Sequence, residues 1–287
     1  MKTLTTKEVA RLCRVSDATV KRWEESGLIM SERTNGGHRR FRADEICRFQ
    51  QEQGLGVKVA HGDESVLSAT TRRRDNKNHS ECSLFHALVA GCEEEAANLL
   101  ISEYLHGKPV THIFDNLVAP AMRQIGELWY IGELTVAQEH LATRAVMSAM
   151  FKLRSVLPVS KERKGLIMSC GIEGDFHELS SFLVKLTFEN QGWEVINFGA
   201  NTPLYSISDE VLRHSPNIVC VSATTMTDIE RTTRDYQEFR QKISKLKIPI
   251  VIGGLAFADE RIRQRFPAEL YCTTFSQVVE FAKKIIN

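Results

Sequence analysis

The sequence predicts a multidomain chain of α and α/β architecture: a winged helix-turn-helix, a four-helix bundle, and a five-stranded parallel sheet covered by helices. Three observations support this fold class. Residues 1–56 alternate short amphipathic segments with basic turns, and residues 81–158 carry helical apolar spacing almost throughout. Residues 163–287 instead alternate short β-rich runs with amphipathic helices. The polar stretch 57–80 lacks apolar periodicity, which predicts a flexible linker between the first two parts.

Composition and charge limit the classes of protein that remain. The 287 residues are 43% hydrophobic and 25% charged, which excludes collagen, wholesale disorder and a disulfide scaffold. The net charge of +1 conceals an asymmetry, because residues 1–80 hold 16 basic and 11 acidic side chains and the remainder holds 21 and 25. The seven cysteines form no C-x-x-C pair, and the chain shows neither an apolar signal segment nor an apolar run of membrane-spanning length. We therefore expect a cytoplasmic protein with reduced thiols and no membrane partner.

The N-terminal part contains the helix-capping and turn residues that are typical of a winged helix-turn-helix. Thr6 is placed to cap a first helix, Ser16 to cap a second, and Gly27 to end that second helix. The run 35–37 (Asn-Gly-Gly) is a strong hairpin signal. Asp44 is placed to cap a third helix. Two short helices joined by a tight turn and followed by a hairpin make this fold.

The hairpin strand GGHRRF resembles the wing of MerR/excisionase-type DNA-binding domains, a resemblance that covers about 50 residues. It implies that the second helix enters the major groove of a double-stranded DNA operator and that the wing contacts phosphates or the minor groove. Each basic residue here also has a plainer interpretation as solvated surface charge. The candidate DNA-binding residues are Thr19, Lys21, Arg22, Arg33, His38, Arg39 and Arg40.

The middle part predicts four helices joined by short connections, which favours an antiparallel bundle. The helical segments are 83–91, 93–107, 111–132 and 135–157. Pro120 is expected to kink the third of them. Trp129 ends that helix, and nine residues separate it from Glu139-His140. Taken alone, this pattern is most consistent with a packing tryptophan and a surface or capping pair.

Five β-rich runs predict the sheet of the last part, each followed by a helical stretch: 165–170, 193–199, 217–223, 249–254 and 270–274. This alternation is typical of a Rossmann-like, flavodoxin-like domain with a parallel sheet covered on both faces. Ligands of such sheets bind beyond the carboxyl ends of the strands, where the strand order reverses.

Polar residues follow three of those strands. Asp175 and His177 occupy a glycine-containing loop after the first strand, and a carboxylate in that position can fix the imidazole tautomer and leave the other nitrogen for a metal. Ser222 and Thr224 close the third strand. The pair 253–254 (Gly-Gly) closes the fourth strand, and glycines there let a ligand approach the backbone closely.

The combined pattern D-x-H-x-x-S, S-x-T and G-G resembles the D-x-H-x-x-G, S-x-L and G-G signature of cobalamin-binding domains. The resemblance implies that His177 is the lower ligand of the cobalt in cobalamin, with Asp175 and Ser222 as its hydrogen-bonded relay. It also implies a slot for the displaced nucleotide tail, lined by Thr224, Gly253 and Gly254. Ser180 stands where the family has glycine and could crowd the ligand. The alternative is an empty Rossmann-like sheet with a polar loop histidine.

The W-x9-E-H pattern in turn resembles the CarH/LitR light-sensing repressors, which share the whole domain order. The resemblance implies that Trp129, with Glu139 and His140 nearby, covers the upper, adenosyl side of the corrin. In that family the adenosylcobalamin form is a DNA-binding tetramer in the dark, and light breaks the cobalt–carbon bond and dissociates it. Tyr130 stands where the light-sensing relatives have a histidine that captures cobalt after photolysis, and tyrosine is a poor cobalt ligand.

These patterns together predict a homo-oligomeric transcription repressor, a dimer or tetramer that binds DNA and adenosylcobalamin and is not an enzyme. One alternative keeps DNA binding but senses another tetrapyrrole, a bilin or haem, or redox state through Cys170 and Cys220. The other is a corrinoid methyl carrier or mutase subunit, against which the DNA-binding part argues.

Overall fold

The computed structural model describes residues 3–13, 15–34, 36–52, 83–158 and 163–286. The chain divides into two compact units, Met1–Pro158 and Val159–Asn287. The linker expected over 57–80 lies outside the described residues, as does Asn35 of the expected hairpin turn. No helix in the described part of the chain is long and apolar enough to cross a membrane.

The N-terminal part forms the predicted winged helix-turn-helix. Its elements are β1 (Thr3–Leu4), α1 (Thr6–Cys13), α2 (Asp17–Glu25), β2 (Ser31–Arg33), β3 (Arg39–Arg42) and α3 (Ala43–Glu52). The strands form an antiparallel sheet in the order β1-β3-β2, so β3 is the central strand. Val9, Val20, Phe41 and Ile46 are fully buried and hold the helices on this small sheet. The wing is therefore anchored to the core through Phe41.

One of the three expected helix caps in this part is confirmed, and the other two helices begin earlier than predicted. Ser16 caps α2 as predicted, accepting a hydrogen bond from the Thr19 amide at 3.2 Å. The cap of α1, however, is Thr5 rather than Thr6, because the Glu8 carboxylate accepts from the Thr5 amide at 2.6 Å and closes a reciprocal capping box. Helix α3 begins at Ala43, directly after β3, so Asp44 lies inside its first turn instead of capping it.

The second helical part contains the predicted helical segments. They are α4 (83–89), α5 (Glu93–Leu105), α6 (Val110–Ile113), a π-helical stretch (Phe114–Val118), α7 (Ala119–Tyr130) and α8 (Val136–Arg154). Thr135 and Gln138 form a capping box that starts α8. The Glu93 carboxylate accepts from the Ser148 hydroxyl at 2.5 Å, and Glu94 pairs with Lys152 at 2.6 Å, so α5 is tied to α8 beside their apolar contact.

The distortion expected at Pro120 takes the form of the π-helical stretch. Proline donates no backbone hydrogen bond, and its ring crowds the carbonyl four residues earlier. The Ala119 amide accordingly donates to the carbonyl of Phe114, five residues back, which widens the turn just before the proline. The α6-to-α7 segment thus runs on through Pro120 without a break.

The second unit contains the predicted five-stranded parallel sheet. Its strands are β4 (Leu166–Gly171), β5 (Glu194–Asn197), β6 (Ile218–Ser222), β7 (Ile250–Gly253) and β8 (Leu270–Cys272), in the order β5-β4-β6-β7-β8. The covering helices are α9 (Glu178–Asn190), α10 (Leu204–His214), α11 (Ile229–Ile243), α12 (Glu260–Arg263) and α13 (Phe275–Ile286). Successive residues of β4 serve opposite faces, with Ile167 in one buried cluster and Met168 in the other. The strand order reverses between β4 and β6, so a ligand crevice is expected beyond their carboxyl ends.

Candidate functional site

The Asp175 carboxylate is the centre of the candidate ligand site. It is 1% exposed and lies in the loop from β4 to α9. Its Oδ1 atom lies 2.5 Å from Nδ1 of His177, and its Oδ2 atom accepts from the Thr224 amide at 2.6 Å. The Thr225 hydroxyl also donates to Oδ1 at 3.3 Å. One buried carboxylate therefore joins the loop after β4 to the loop after β6, on both sides of the point where the strand order reverses.

These contacts set the ionisation state of Asp175 and the orientation of His177. Burial alone would raise the pKa of this carboxyl, but the hydrogen bonds from the His177 side chain and the Thr224 amide outweigh it and lower the pKa. An ionised carboxylate can only accept, so Nδ1 of the imidazole carries the proton. A metal would then bind this half-exposed imidazole through Nε2.

The structure differs from the expected relay at Ser222. The Ser222 hydroxyl donates to the carbonyl oxygen of Cys170 at 3.3 Å, within the β4–β6 pair, and does not reach Asp175. The loop residues Thr224 and Thr225 fill that role because they follow the end of β6 and can turn toward the carboxylate. Ser180 lies half-buried in the first turn of α9.

Contacts within the protein itself explain the two glycines at the end of β7. A Cβ on Gly254 would lie 2.1 Å from the carbonyl oxygen of Ala223, and its φ of +105° disfavours other residues. A Cβ on Gly253 would lie 3.0 Å from the Cys272 sulfur. The loop after β7 thus packs backbone to backbone against the loop after β6. Thr224 lies half-exposed beside it, where the expected tail slot would open.

The residues present fit a metal carried inside a macrocycle better than a bare ion. No group of three or more potential ligands is found among the described residues, so His177 would bind a metal whose other ligands come with it. Three exposed apolar side chains follow strands at the same edge: Phe176 (76% exposed), Tyr205 (55%) and Leu255 (66%). Exposed apolar groups around a single oriented imidazole suit a large, partly apolar ligand such as cobalamin.

The bundle places its signature residues at one end. Trp129, 46% exposed, is the penultimate residue of α7, and Glu139 and His140 lie near the start of α8. The Glu139 carboxylate contacts Nδ1 of His140 at 2.7 Å and accepts from the Thr143 hydroxyl at 2.8 Å. Tyr130 is 85% exposed beside Trp129. This end therefore presents aromatic surface next to an ordered carboxylate–imidazole pair.

The two thiols considered as redox sensors are fully buried in the sheet. Burial raises the pKa of Cys170 to about 12 and raises the pKa of Cys220 well above its ordinary value. Thiolate is the reactive form, so both side chains are protonated and shielded at neutral pH. This geometry argues against redox sensing through these cysteines.

The candidate DNA-binding residues fall into two groups. Lys21 and Arg22 are exposed on α2, Arg33 and His38 are exposed on the wing, and Arg40 is half-buried. Thr19 is half-buried, with its hydroxyl 2.9 Å from that of Ser16 at the helix cap. Arg39 differs from the others, because its Nε donates to the Glu24 carboxylate at 2.9 Å and its side chain is only 20% exposed.

Glu24 is a residue that sequence reasoning missed. It accepts from the Ser31 hydroxyl at 2.7 Å and from Arg39 at 2.9 Å, and Arg33 lies 3.9 Å away, so it holds both wing strands against α2. The hydrogen bonds from Ser31 and Arg39 lower the pKa of this carboxyl. Thr225 was also missed, although it adjoins the S-x-T motif. No local signal marks Glu24, since its partners come from later strands.

Known protein families match each part of the chain. Residues 5–41 match the model described as MerR family regulatory protein, and residues 83–154 and 166–275 match two models described as B12 binding domain. The repressor CarH of Myxococcus xanthus is 25% identical, over 86% of this chain and 87% of that protein. The repressor CarA of the same organism is 23% identical, over 92% of this chain and 90% of that protein.

Corrinoid proteins are also similar to most of this chain. Dimethylamine corrinoid protein 1 of Methanosarcina mazei is 22% identical, over 69% of this chain and 92% of that protein. The structure of the Methanosarcina barkeri monomethylamine corrinoid protein has a TM-score of 0.61 at 18% identity, covering 73% of this chain and 99% of that chain, which shows the shared fold. The chain is therefore a homologue of the CarH and CarA repressors that joins a MerR-type DNA-binding domain to B12 binding domains.

Proposed function

We propose that this chain is a transcription repressor in which adenosylcobalamin controls the oligomeric state and, through it, DNA binding. The proposal assigns DNA binding to residues 1–56, a linker to 57–80, a helical cap to 81–158 and cobalamin binding to 163–287. The observation that carries it is the buried Asp175 carboxylate, which orients the His177 imidazole at the crevice of the sheet. A single short helix-turn-helix gains affinity when copies are joined, so control of assembly is control of DNA occupancy.

The sheet domain would hold cobalamin through His177, with Nε2 as the lower ligand of the cobalt. Asp175 keeps the proton on Nδ1 and raises the basicity of the ring, which is the usual role of a carboxylate behind a metal-binding histidine. Thr224, Gly253 and Gly254 are assigned to the nucleotide-tail slot. Ser180 stands at the family's glycine position, where its side chain would lie close to the corrin or the nucleotide.

The bundle would cover the upper, adenosyl side of the ligand with Trp129, Glu139 and His140. When bound, adenosylcobalamin supplies a light-sensitive cobalt–carbon bond, through which light would change the oligomeric state. Linkage requires that the assembled state bind the ligand more tightly than the dissociated state. Tyr130 offers no imidazole at the position where the light-sensing relatives have a histidine, so a second imidazole would have to come from elsewhere, with His140 as the candidate.

Ligand binding is tested by titrating the purified full chain with adenosylcobalamin in the dark and recording absorption spectra. We expect the wild-type chain to bind cobalamin saturably, with the spectrum of a histidine-coordinated cobalt. The His177→Ala variant should bind cobalamin more weakly. His214→Ala is the matched control, because His214 lies on α10 and pairs with Glu210 away from the crevice. Haemin and biliverdin are titrated in parallel. Retention of either one, without retention of cobalamin, would overturn the ligand assignment.

Regulation is tested on the same samples by gel filtration and DNA binding before and after illumination. The DNA is selected from a random-sequence duplex pool by the dark, cobalamin-loaded protein. We expect a larger species that binds DNA tightly in the dark, and a smaller species with weaker DNA binding after light. Unchanged size and unchanged affinity in all ligand and light states would overturn control by assembly. A change with cobalamin but none with light would remove only the photochemical part.

A further inference from the structure

The loop after β5 is hydrogen-bonded to the loop that carries Asp175 and His177. The Asn201 side-chain oxygen accepts a hydrogen bond from the Gly174 amide at 2.8 Å. The Asn201 amide in turn donates to the Asp175 carbonyl oxygen, also at 2.8 Å. One residue therefore binds two consecutive residues of a loop that lies 26 and 27 positions earlier in the chain.

Asn201 makes both bonds because of an uncommon backbone conformation. Its φ is +51°, in the left-handed region that residues other than glycine rarely adopt and that asparagine tolerates better than most. Such conformations persist where the surroundings hold them and cluster at functional sites. Here the surroundings include the Thr202 amide, which donates to the Gly171 carbonyl at 3.0 Å, and a parallel bridge between Ile172 and Thr202 that extends the β4–β5 pairing.

Asp175 is consequently held from two sides. Its carboxylate is bonded on the β6 side by Thr224 and Thr225, and its carbonyl is bonded on the β5 side by Asn201. Two fixed points on one residue set the direction of its side chain, and that side chain sets the orientation of the His177 ring. An imidazole aligned before the ligand arrives spares the ligand the entropic cost of ordering the loop.

We propose that Asn201 is a positioning residue for the cobalamin site, acting through Asp175 on His177. The inference rests on the proposed function and adds a third loop to the site, from the edge strand β5. Asn201 itself is exposed, so its bonds contribute little to the free energy of unfolding. The effect of Asn201 should therefore appear in ligand alignment and not in stability.

The test replaces Asn201 without straining the backbone. Asn201→Gly keeps the positive φ and removes the side chain together with its accepting oxygen, whereas Asn201→Asp keeps an acceptor oxygen and serves as the conservative rescue. The matched control is Ser215→Gly, since Ser215 also has a positive φ, of +46°, but ends α10 outside the site. Each variant is compared with the full wild-type chain for binding of hydroxocobalamin and for its melting temperature.

A spectroscopic measurement distinguishes a misaligned His177 ring from a general loss of structure. The cobalamin-loaded proteins are reduced to the Co(II) form, and the axial nitrogen splitting is recorded by EPR with and without ¹⁵N-labelled histidine. We expect Asn201→Gly to bind about tenfold more weakly, in the range seen when partners behind metal ligands are lost, and to lose part of its ¹⁵N-histidine splitting. Asn201→Asp and Ser215→Gly should retain the splitting and stay within a few-fold of the wild-type affinity.

Wild-type affinity and splitting in Asn201→Gly would overturn the inference while leaving the proposed function intact. Failure of the wild-type chain to bind cobalamin would instead remove the proposed function. In that case the cofactor-free protein still decides the positioning role, through amide hydrogen exchange at Gly174 and His177. Faster exchange in Asn201→Gly than in Ser215→Gly supports the role, and equal exchange overturns it.

Discussion

Asp175 and Glu24 are carboxylates that organise two different parts of this chain, and they do so differently. Asp175 is buried and is bonded by backbone amides, a hydroxyl and an imidazole. Glu24 is 16% exposed and is bonded by a hydroxyl and a guanidinium. Because backbone amides are part of the fold, Asp175 fixes two loops and orients the His177 ring. Because a guanidinium is also a group that binds DNA phosphates, we expect Glu24 to withhold Arg39 from DNA while it holds the wing against α2.

The largest effect is expected for the substitution Asp175→Asn, which removes the charge of the buried carboxylate. The amide cannot accept from both His177 and Thr224 with its single oxygen, and its NH₂ group faces another donor. We expect cobalamin affinity to fall by about 10- to 100-fold and stability to fall by about 1–3 kcal/mol. Absorption titration and urea unfolding measure the two effects.

Asp209→Asn is the control for that experiment. Asp209 is an exposed carboxylate of the same unit, paired with Lys242 on the surface of the protein. Surface substitutions of this kind usually change stability by less than about 0.5 kcal/mol. Equal cobalamin affinity in the two variants would show that the charge on Asp175 has no part in orienting His177.

The same contrast explains what could be predicted from the sequence. Features that depend on neighbours along the chain were predicted well, such as the cap at Ser16, the stop at Gly27 and the strand that ends before Asp175. The cap of α1 was displaced by one residue because Thr5 and Thr6 are equally suitable hydroxyls, and only the reach of Glu8 decides between them. Local sequence patterns are therefore enough to predict which helices and strands form, with their ends placed to within about three residues.

Side-chain partners distant in sequence could not be predicted in this way. The bond from Thr224 to Asp175 spans 49 residues, and it depends on the β4–β6 register and on how the loop turns after β6. The motif placed Ser222 beside Asp175, yet in the structure Ser222 still belongs to β6 and bonds across to β4. Arg39 is assigned to DNA on its charge and its place in the wing, because nothing near it in sequence reveals Glu24 as its partner.

A second prediction concerns the wing, where Arg39 and Arg40 are adjacent in sequence but have different surroundings. Binding to short random-sequence duplex DNA is measured against salt concentration for Arg39→Ala and Arg40→Ala. Each lost phosphate contact lowers the slope of log affinity against log salt by about 0.9. We expect that reduction for Arg40→Ala, and an unchanged slope with a few-fold weaker binding for Arg39→Ala, whose guanidinium is engaged by Glu24.

Equal reductions of slope in the two variants would contradict this division. That result would mean that Arg39 exchanges Glu24 for a phosphate when DNA arrives, and that the ion pair is a resting position only. Lys21→Ala provides the reference for a lost cation on α2, because Lys21 is exposed on that helix.

The smallest expected effect concerns the acid sensitivity of the wing. The pKa of Glu24 is lowered by its hydrogen bonds from Ser31 and Arg39, so its charged form stabilises the folded state. That contribution is fully present above the ordinary glutamate pKa of about 4.3 and is lost as the pH falls through the lowered folded value. Wild type should therefore be more stable than Glu24→Gln near neutral pH, by less than about 1 kcal/mol because the pair is partly solvated.

Hydrogen exchange of the β3 amides from neutral to acidic pH measures this difference where it acts. Protection in the wild type should exceed that in Glu24→Gln at neutral pH, and the two should converge as Glu24 takes up its proton. Glu25→Gln is the control, since Glu25 is 67% exposed and lies 3.9 Å from Arg39. If Glu24→Gln matched the wild type at every pH, the buried Phe41 and the pairing of β3 with β1 and β2 would hold the wing without Glu24, which would serve only to occupy Arg39.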